Sequence, residues 1–297
     1  MVDTRFYRRL GFALLFVGAM GCRRGGARAK ADECEEGVSQ WSRPPVASGE
    51  EQRRGVSPVG GGRWQPLVHD GDAVFFIGNS FFDFQGRRLP DWISALGASL
   101  SPPIRLKGGG DMVPGDTPLG DFLVHPATQE ALASRKYRVF VLQGQEGEPV
   151  DHKREFQQAV RAFHRAIEAA GAKTVLFMTW DLPDRHFLKQ LADSYEEIGR
   201  ELDIPVIPVG LIYQDCAQTH PFKHGRYWLT ARPTEPEGGI HENAMGSAVN
   251  TYATFALLTG VNPRGTNFVA PGNTNGDALM RSLSDMAWAW VLPRLER

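Results

Sequence analysis

Cysteine is scarce in this chain, with 3 among 297 residues. A small disulfide-stapled scaffold is thereby excluded, because such folds replace a missing core with several bridges. Cys34 and Cys216 are too few and too far apart for a structural zinc cage. An excess of either charge is also lacking: 33 Lys+Arg stand against 34 Asp+Glu, a formal net charge of −1. Phosphate-backbone binding draws its affinity from clustered Lys and Arg, so nucleic acid is not an expected partner. Long apolar runs are missing too. Leu10–Met20 is the most apolar stretch near the N-terminus, and it falls short of the roughly 20 residues that span a bilayer.

That stretch has another reading. Arg5, Arg8 and Arg9 precede it, and Gly21 and Cys22 end it, which is the pattern of an export signal. Cys22 after a small residue resembles the lipobox of bacterial lipoproteins, where the cysteine is acylated and becomes the new N-terminus; Ala19 stands where a leucine is usual. Residues 1–22 are therefore expected to be a signal peptide. The protein is expected in the bacterial cell envelope, held to a membrane by a lipid on Cys22. Residues 23–70, rich in Gly, Arg, Glu, Ser and Pro, lack the apolar periodicity to build a core and read as a linker.

From residue 71 to 297 short apolar runs alternate with helical periods. AVFFIGNS (73–80), IRLK (104–107), YRVFVLQ (137–143), TVLFMTW (174–180) and IPVIPVG (204–210) read as strands. Helices are expected over 89–100, over the stripe of Phe156, Val160, Phe163 and Ile167, and over that of Leu188, Leu191, Tyr195 and Ile198. Two more close the domain, at 242–259 with Gly260 as its cap, and at about 277–292. Such alternation predicts an α/β fold, a three-layer αβα sandwich on a central parallel sheet of the flavodoxin-like kind. Ligands then sit at the carboxyl ends of the strands.

Ser80 ends an apolar strand, and Gly78 frees the backbone to turn and present its hydroxyl. By itself Gly-Asn-Ser is an ordinary turn. His241 lies in a glycine-rich loop ahead of a helix that contains Gly246, Ala248 and Ala253. The pieces FIGNSFF, VFVLQGQE, TVLFMTW, PVIPVG and IHENAMGSAVNTYATFALLTG, in that order over about 71–265, resemble the SGNH (GDSL-like) hydrolase superfamily.

The resemblance implies Ser80 as nucleophile and His241 as base, with Asn79 where the family usually has aspartate. It also implies an oxyanion donor from a glycine after the second strand, for which Gly108, Gly109 and Gly110 are candidates, Gly109 and Gly110 foremost. The third block is usually Gly-x-Asn-Asp; here it is Gln143-Gly144-Gln145-Glu146, so the amide donor falls to Gln145, with Gln143 next. In the last block Gly238 replaces the aspartate that orients the histidine, and Glu237, or Glu235 beyond it, is the carboxylate left to do so.

These readings predict a serine esterase that needs no cofactor and no metal. Trp180, Tyr227 and Trp228 are expected near the mouth of the site, where flat rings suit a glycan ester such as an O-acetylated sugar. Two other enzyme classes fit poorly. His241-Glu242 begins like a zinc-protease motif, but Met245 stands where the second histidine is required. GGGDMVPG matches neither a dinucleotide fingerprint nor a P-loop. The remaining alternative is an envelope lipoprotein of the same fold that binds glycan or a protein partner without catalysis.

Overall fold

The computed structural model describes residues 65–84, 86–113, 115–182, 185–219, 228–230, 239–264, 266, 268 and 277–296. The signal segment, Cys22, nearly all of the linker, Tyr227, Glu235 and Glu237 lie outside the described residues.

At the centre is a five-stranded parallel sheet: β1 (Ala73–Gly78), β2 (Lys107–Met112), β3 (Val139–Leu142), β4 (Lys173–Phe177) and β5 (Val206–Ile207). Their spatial order is β2-β1-β3-β4-β5. Val74 to Gly78 of β1 and all of β3 are buried, as expected of parallel strands covered on both faces. The order reverses between β1 and β3, which creates the crevice where α/β sheets place their ligands. Ser80 follows β1 into that crevice.

Helices flank the sheet: α1 (Leu89–Ala98), α2 (Pro126–Ser134), α3 (Glu148–Asp151), α4 (Lys153–Ala169), α5 (Leu188–Leu202), α6 (Val209–Thr219), α7 (Ala244–Thr259) and α8 (Asp277–Leu295). Phe156, Val160, Phe163 and Ile167 form the buried stripe of α4, and Leu191, Tyr195 and Ile198 that of α5. The helix α7 is different, since every residue from Met245 to Thr259 is buried. A helix apolar and small-sided all round belongs inside a domain, and α7 packs against α1, α6 and α8. Gly260 ends it in the left-handed conformation at φ 68°, as a C-cap should. Leu67 and Val68 are also buried, and their N–H groups donate to the carbonyl of Leu258.

Two strand expectations need correction. The second strand is Lys107–Met112, not 104–107, so the glycine run lies within it. Glycine is a weak strand former in isolation, but here its missing side chain is what the packing requires: a Cβ on Gly108 would stand 2.4 Å from Pro90 Cβ, and one on Gly109 2.6 Å from Tyr137 Oη. The segment IPVIPVG supplies only Val206–Ile207 to the sheet and turns helical at Val209.

Candidate active site

The hydroxyl of Ser80 lies 2.7 Å from Nε2 of His241, across 161 residues of sequence. Both side chains are partly exposed. Each is placed by a short, well-bonded motif. Asn79 caps the 3-10 turn Ser80–Phe82, its Oδ1 accepting the N–H of Phe81. Asn243 caps α7 two residues after His241, Oδ1 accepting from Met245 and Gly246. The Nδ2 of Asn243 donates to the carbonyls of Trp228 and Thr230, and its backbone N–H donates to Leu229. With the Thr230–Glu242 bridge, this pins the histidine loop to segment 228–230.

Trp180 follows β4, yet it does not line the mouth of the site. Only 1% of it is exposed. Its ring stacks on Phe81 at 4.5 Å on one face and on Tyr213 at 5.0 Å, while Nε1 donates to the carbonyl of Ile240 at 2.9 Å. Phe81 in turn sets its ring edge-on to His241 at 5.3 Å. The indole thus supports both halves of the serine–histidine pair from beneath and offers no face to a sugar.

The glycine assignment also changes. Gly109 pairs with Phe75 and Gly110 with Phe76, whereas Met112 is the residue level with Gly78. At about 3.3 Å per residue, both glycines lie roughly 7 to 10 Å short of the carboxyl edge where Ser80 stands, so neither can face the oxyanion. Gly115, which follows β2, has a φ of +98°, a conformation that glycine adopts without strain.

The two glutamines separate cleanly. Gln143, 1% exposed, uses its whole amide on neighbours: Nε2 donates to Asn79 Oδ1 and to the Gly144 carbonyl, and Oε1 accepts the N–H of Asn79. Gln145 is held by its oxygen alone, Oε1 accepting the N–H groups of Gly147 and Glu148. Its position leaves the NH₂ end as the donor not engaged by these contacts.

Glu148 fixes this loop. Its carboxylate is buried and accepts from the N–H groups of Gln145 and Leu119. Burial pushes the Glu148 carboxyl above its ordinary range, and those N–H groups pull against the shift. Tyr195, driven up by burial, accepts the N–H of Gly144 through its phenol oxygen. Glu146, the last residue of the third block, accepts from Asn79 Nδ2 at 3.2 Å.

A second histidine–carboxylate pair involves β2: His125 Nδ1 is 3.4 Å from Asp111, which also accepts from Thr128. Among the described residues no three His, Cys, Asp or Glu side chains converge as metal ligands. Nor is any helix of the described residues long and apolar enough to cross a membrane.

No family model and no curated protein matches the chain. Solved structures do. The acetylxylan esterase Axe2 from Geobacillus stearothermophilus is similar with a TM-score of 0.50 at 12% identity, over 64% of this chain and 94% of that one. A candidate SGNH hydrolase from Slackia heliotrinireducens is similar with a TM-score of 0.49 at 18% identity, over 63% of this chain and 98% of its own. Helices around a five-stranded parallel sheet, with the serine at its switch point, give this chain the fold of the SGNH hydrolases.

Proposed function

We propose that this protein is an SGNH-type serine esterase. The observation that carries the proposal is the 2.7 Å contact between Ser80 Oγ and His241 Nε2 at the carboxyl edge of the sheet. A serine hydroxyl is a weak nucleophile until a base shares its proton, and this geometry supplies the base. His241 Nε2 takes the Ser80 proton as Oγ attacks the ester carbonyl. The tetrahedral adduct collapses, and the alcohol leaves with the proton from His241. Water then enters, gives its proton to His241 and attacks the acyl-serine, releasing the acid and restoring Ser80–OH. The developing oxyanion is met by the N–H of Ser80 and the amide of Gln145, with Gly109 and Gly110 taking no part. Glu237 remains the carboxylate assigned to orient the imidazole.

The substrate class is an ester with a short acyl group, such as the O-acetyl group of a glycan. Burial of Trp180 withdraws part of the aromatic case for sugar, leaving the partly exposed Trp228. Arg5, Arg8 and Arg9, the apolar run to Met20 and Cys22 support export and acylation in the cell envelope. Labelling with a fluorophosphonate and mapping the modified peptide tests the mechanism. We expect one adduct, on Ser80, absent from Ser80→Ala; an adduct on another serine, or none, would sink the reading. Incorporation of radiolabelled fatty acid by expressing cells, lost in Cys22→Ala, tests the anchor.

A further inference from the structure

The usual residue before the nucleophile in this fold class, read from the resemblance above, is aspartate; here it is Asn79, and the surrounding side chains explain why. Asn79 is 2% exposed and forms a hydrogen bond at every one of its polar atoms. Its Oδ1 accepts from Phe81 N–H at 3.0 Å and from Gln143 Nε2 at 2.8 Å. Its backbone N–H donates to Gln143 Oε1 at 3.2 Å. Its Nδ2 donates to Glu146 Oε2, also at 3.2 Å. The carbonyl accepts the N–H of Phe82. One residue before Ser80, the main chain is therefore tied on both sides, to the end of β3 through Gln143 and to the following loop through Glu146.

We infer that Asn79, Gln143 and Glu146 act as one positioning unit for Ser80, and that the amide at 79 is obligatory because Glu146 faces it. An aspartate at 79 keeps the two bonds at Oδ1 but places a second acceptor oxygen where Nδ2 stands, against the carboxylate of Glu146. Two carboxylates at that separation cannot both stay ionised in place. One must take up a proton or move, and whichever moves drags the serine turn with it. The pairing is specific in polarity. If residue 146 carries an amide, its NH₂ donates to an aspartate at 79, and the same bond forms in the opposite sense. Asn79 and Glu146 touch no reacting atom; they position Ser80.

The inference rests on the serine-esterase reading. Its test compares the full protein, Asn79→Asp and the double variant Asn79→Asp with Glu146→Gln. Two measurements are made on each at pH 8: the rate of fluorophosphonate adduct formation at Ser80, and kcat and KM on p-nitrophenyl acetate. Like charges held a few ångströms apart in a partly buried site repel by several RT, so N79D is expected to lose at least about tenfold in both adduct rate and kcat, with KM little changed. Adding E146Q is expected to bring both back to within about threefold of the wild type.

An N79D variant as fast as wild type, or one whose loss E146Q does not relieve, overturns the inference while the esterase reading stands. Wild-type protein that takes up no probe and turns over no ester overturns both. If N79D does not fold, folding and labelling restored by E146Q support the inference, and failure to restore them overturns it.

Discussion

The indole N–H of Trp180 donates to the carbonyl of Ile240 at 2.9 Å, so the end of β4 holds the residue immediately before His241. The same ring stacks on Phe81, immediately after Ser80. One buried side chain therefore couples the nucleophile turn to the histidine loop. Trp180→Phe keeps a ring in the stack but leaves the Ile240 carbonyl without that donor. A lost buried hydrogen bond costs about 1 to 3 kcal/mol. We expect the free energy of unfolding in urea to fall by about that amount. Ester turnover should fall several-fold with KM nearly constant, since the histidine is displaced and the substrate surface is not. A rise in KM with kcat preserved would instead make Trp180 a substrate contact.

Asn243 carries the histidine loop from the other side. Asn243→Ala removes the cap of α7 and the two donors that bind Trp228 and Thr230. Loss of an N-cap typically costs about 0.5 to 2 kcal/mol. Because segment 228–230 is released as well, the fall in thermal stability should exceed that from a simple cap deletion. Asn243→Ser is the informative partner: its hydroxyl can still cap the helix while the donors to Trp228 and Thr230 are lost. Equal melting temperatures for the Ala and Ser variants would show that the cap contributes nothing.

The parts of the molecule legible in sequence are those where local chemistry and global packing agree. Ser80 and His241 were both readable because each sits at a punctuated boundary, a strand running into a glycine turn and a loop running into a capped helix. The apolar stripes of α4 and α5 were equally plain, since solvent on one face leaves a periodic record. What failed were positions decided by neighbours distant in sequence. Gly108, Gly109 and Gly110 look like a loop until Pro90 and Tyr137 are seen to need the space. Gly210 ends an apolar run that looks like strand, but a Cβ there would meet the Thr179 carbonyl at 2.3 Å, a close approach that only the folded chain reveals. Trp180 shows the same limit, because a strand-end tryptophan can point into the crevice or into the core, and sequence spacing does not distinguish the two.

Glu148 gives a pH signature. Burial raises its carboxyl above the ordinary value of 4.5 in the folded protein. The folded state then holds this proton more tightly than the unfolded chain does. Its contribution to stability is most favourable below the unfolded value and declines as pH rises from about 4.5 to the raised folded value, after which it is flat. Glu148→Gln removes that titration while keeping one oxygen to accept from Gln145 or Leu119. Urea unfolding measured between pH 4 and 7 should therefore show a shallower decline, or a rise, in the variant relative to wild type. Parallel curves for the two proteins would mean that Glu148 titrates normally.

The two glutamines of the third block offer the sharpest separation of chemistry from architecture. Gln145 is anchored by its oxygen to the N–H groups of Gly147 and Glu148, and its NH₂ end is assigned to the oxyanion. Gln143 spends both ends on Asn79 and Gly144 and has no donor left for substrate. Removing an oxyanion donor costs about 10²- to 10³-fold in turnover. Gln145→Ala should therefore lose activity on that scale while KM and the unfolding midpoint change little. Gln143→Ala should show the reverse emphasis, a lowered melting temperature from the stranded Asn79 amide, with activity falling only as far as Ser80 is displaced. If Gln143→Ala proves as inactive as Gln145→Ala at unchanged stability, the amide facing the oxyanion is Gln143, and its bonds to Asn79 must break during the reaction.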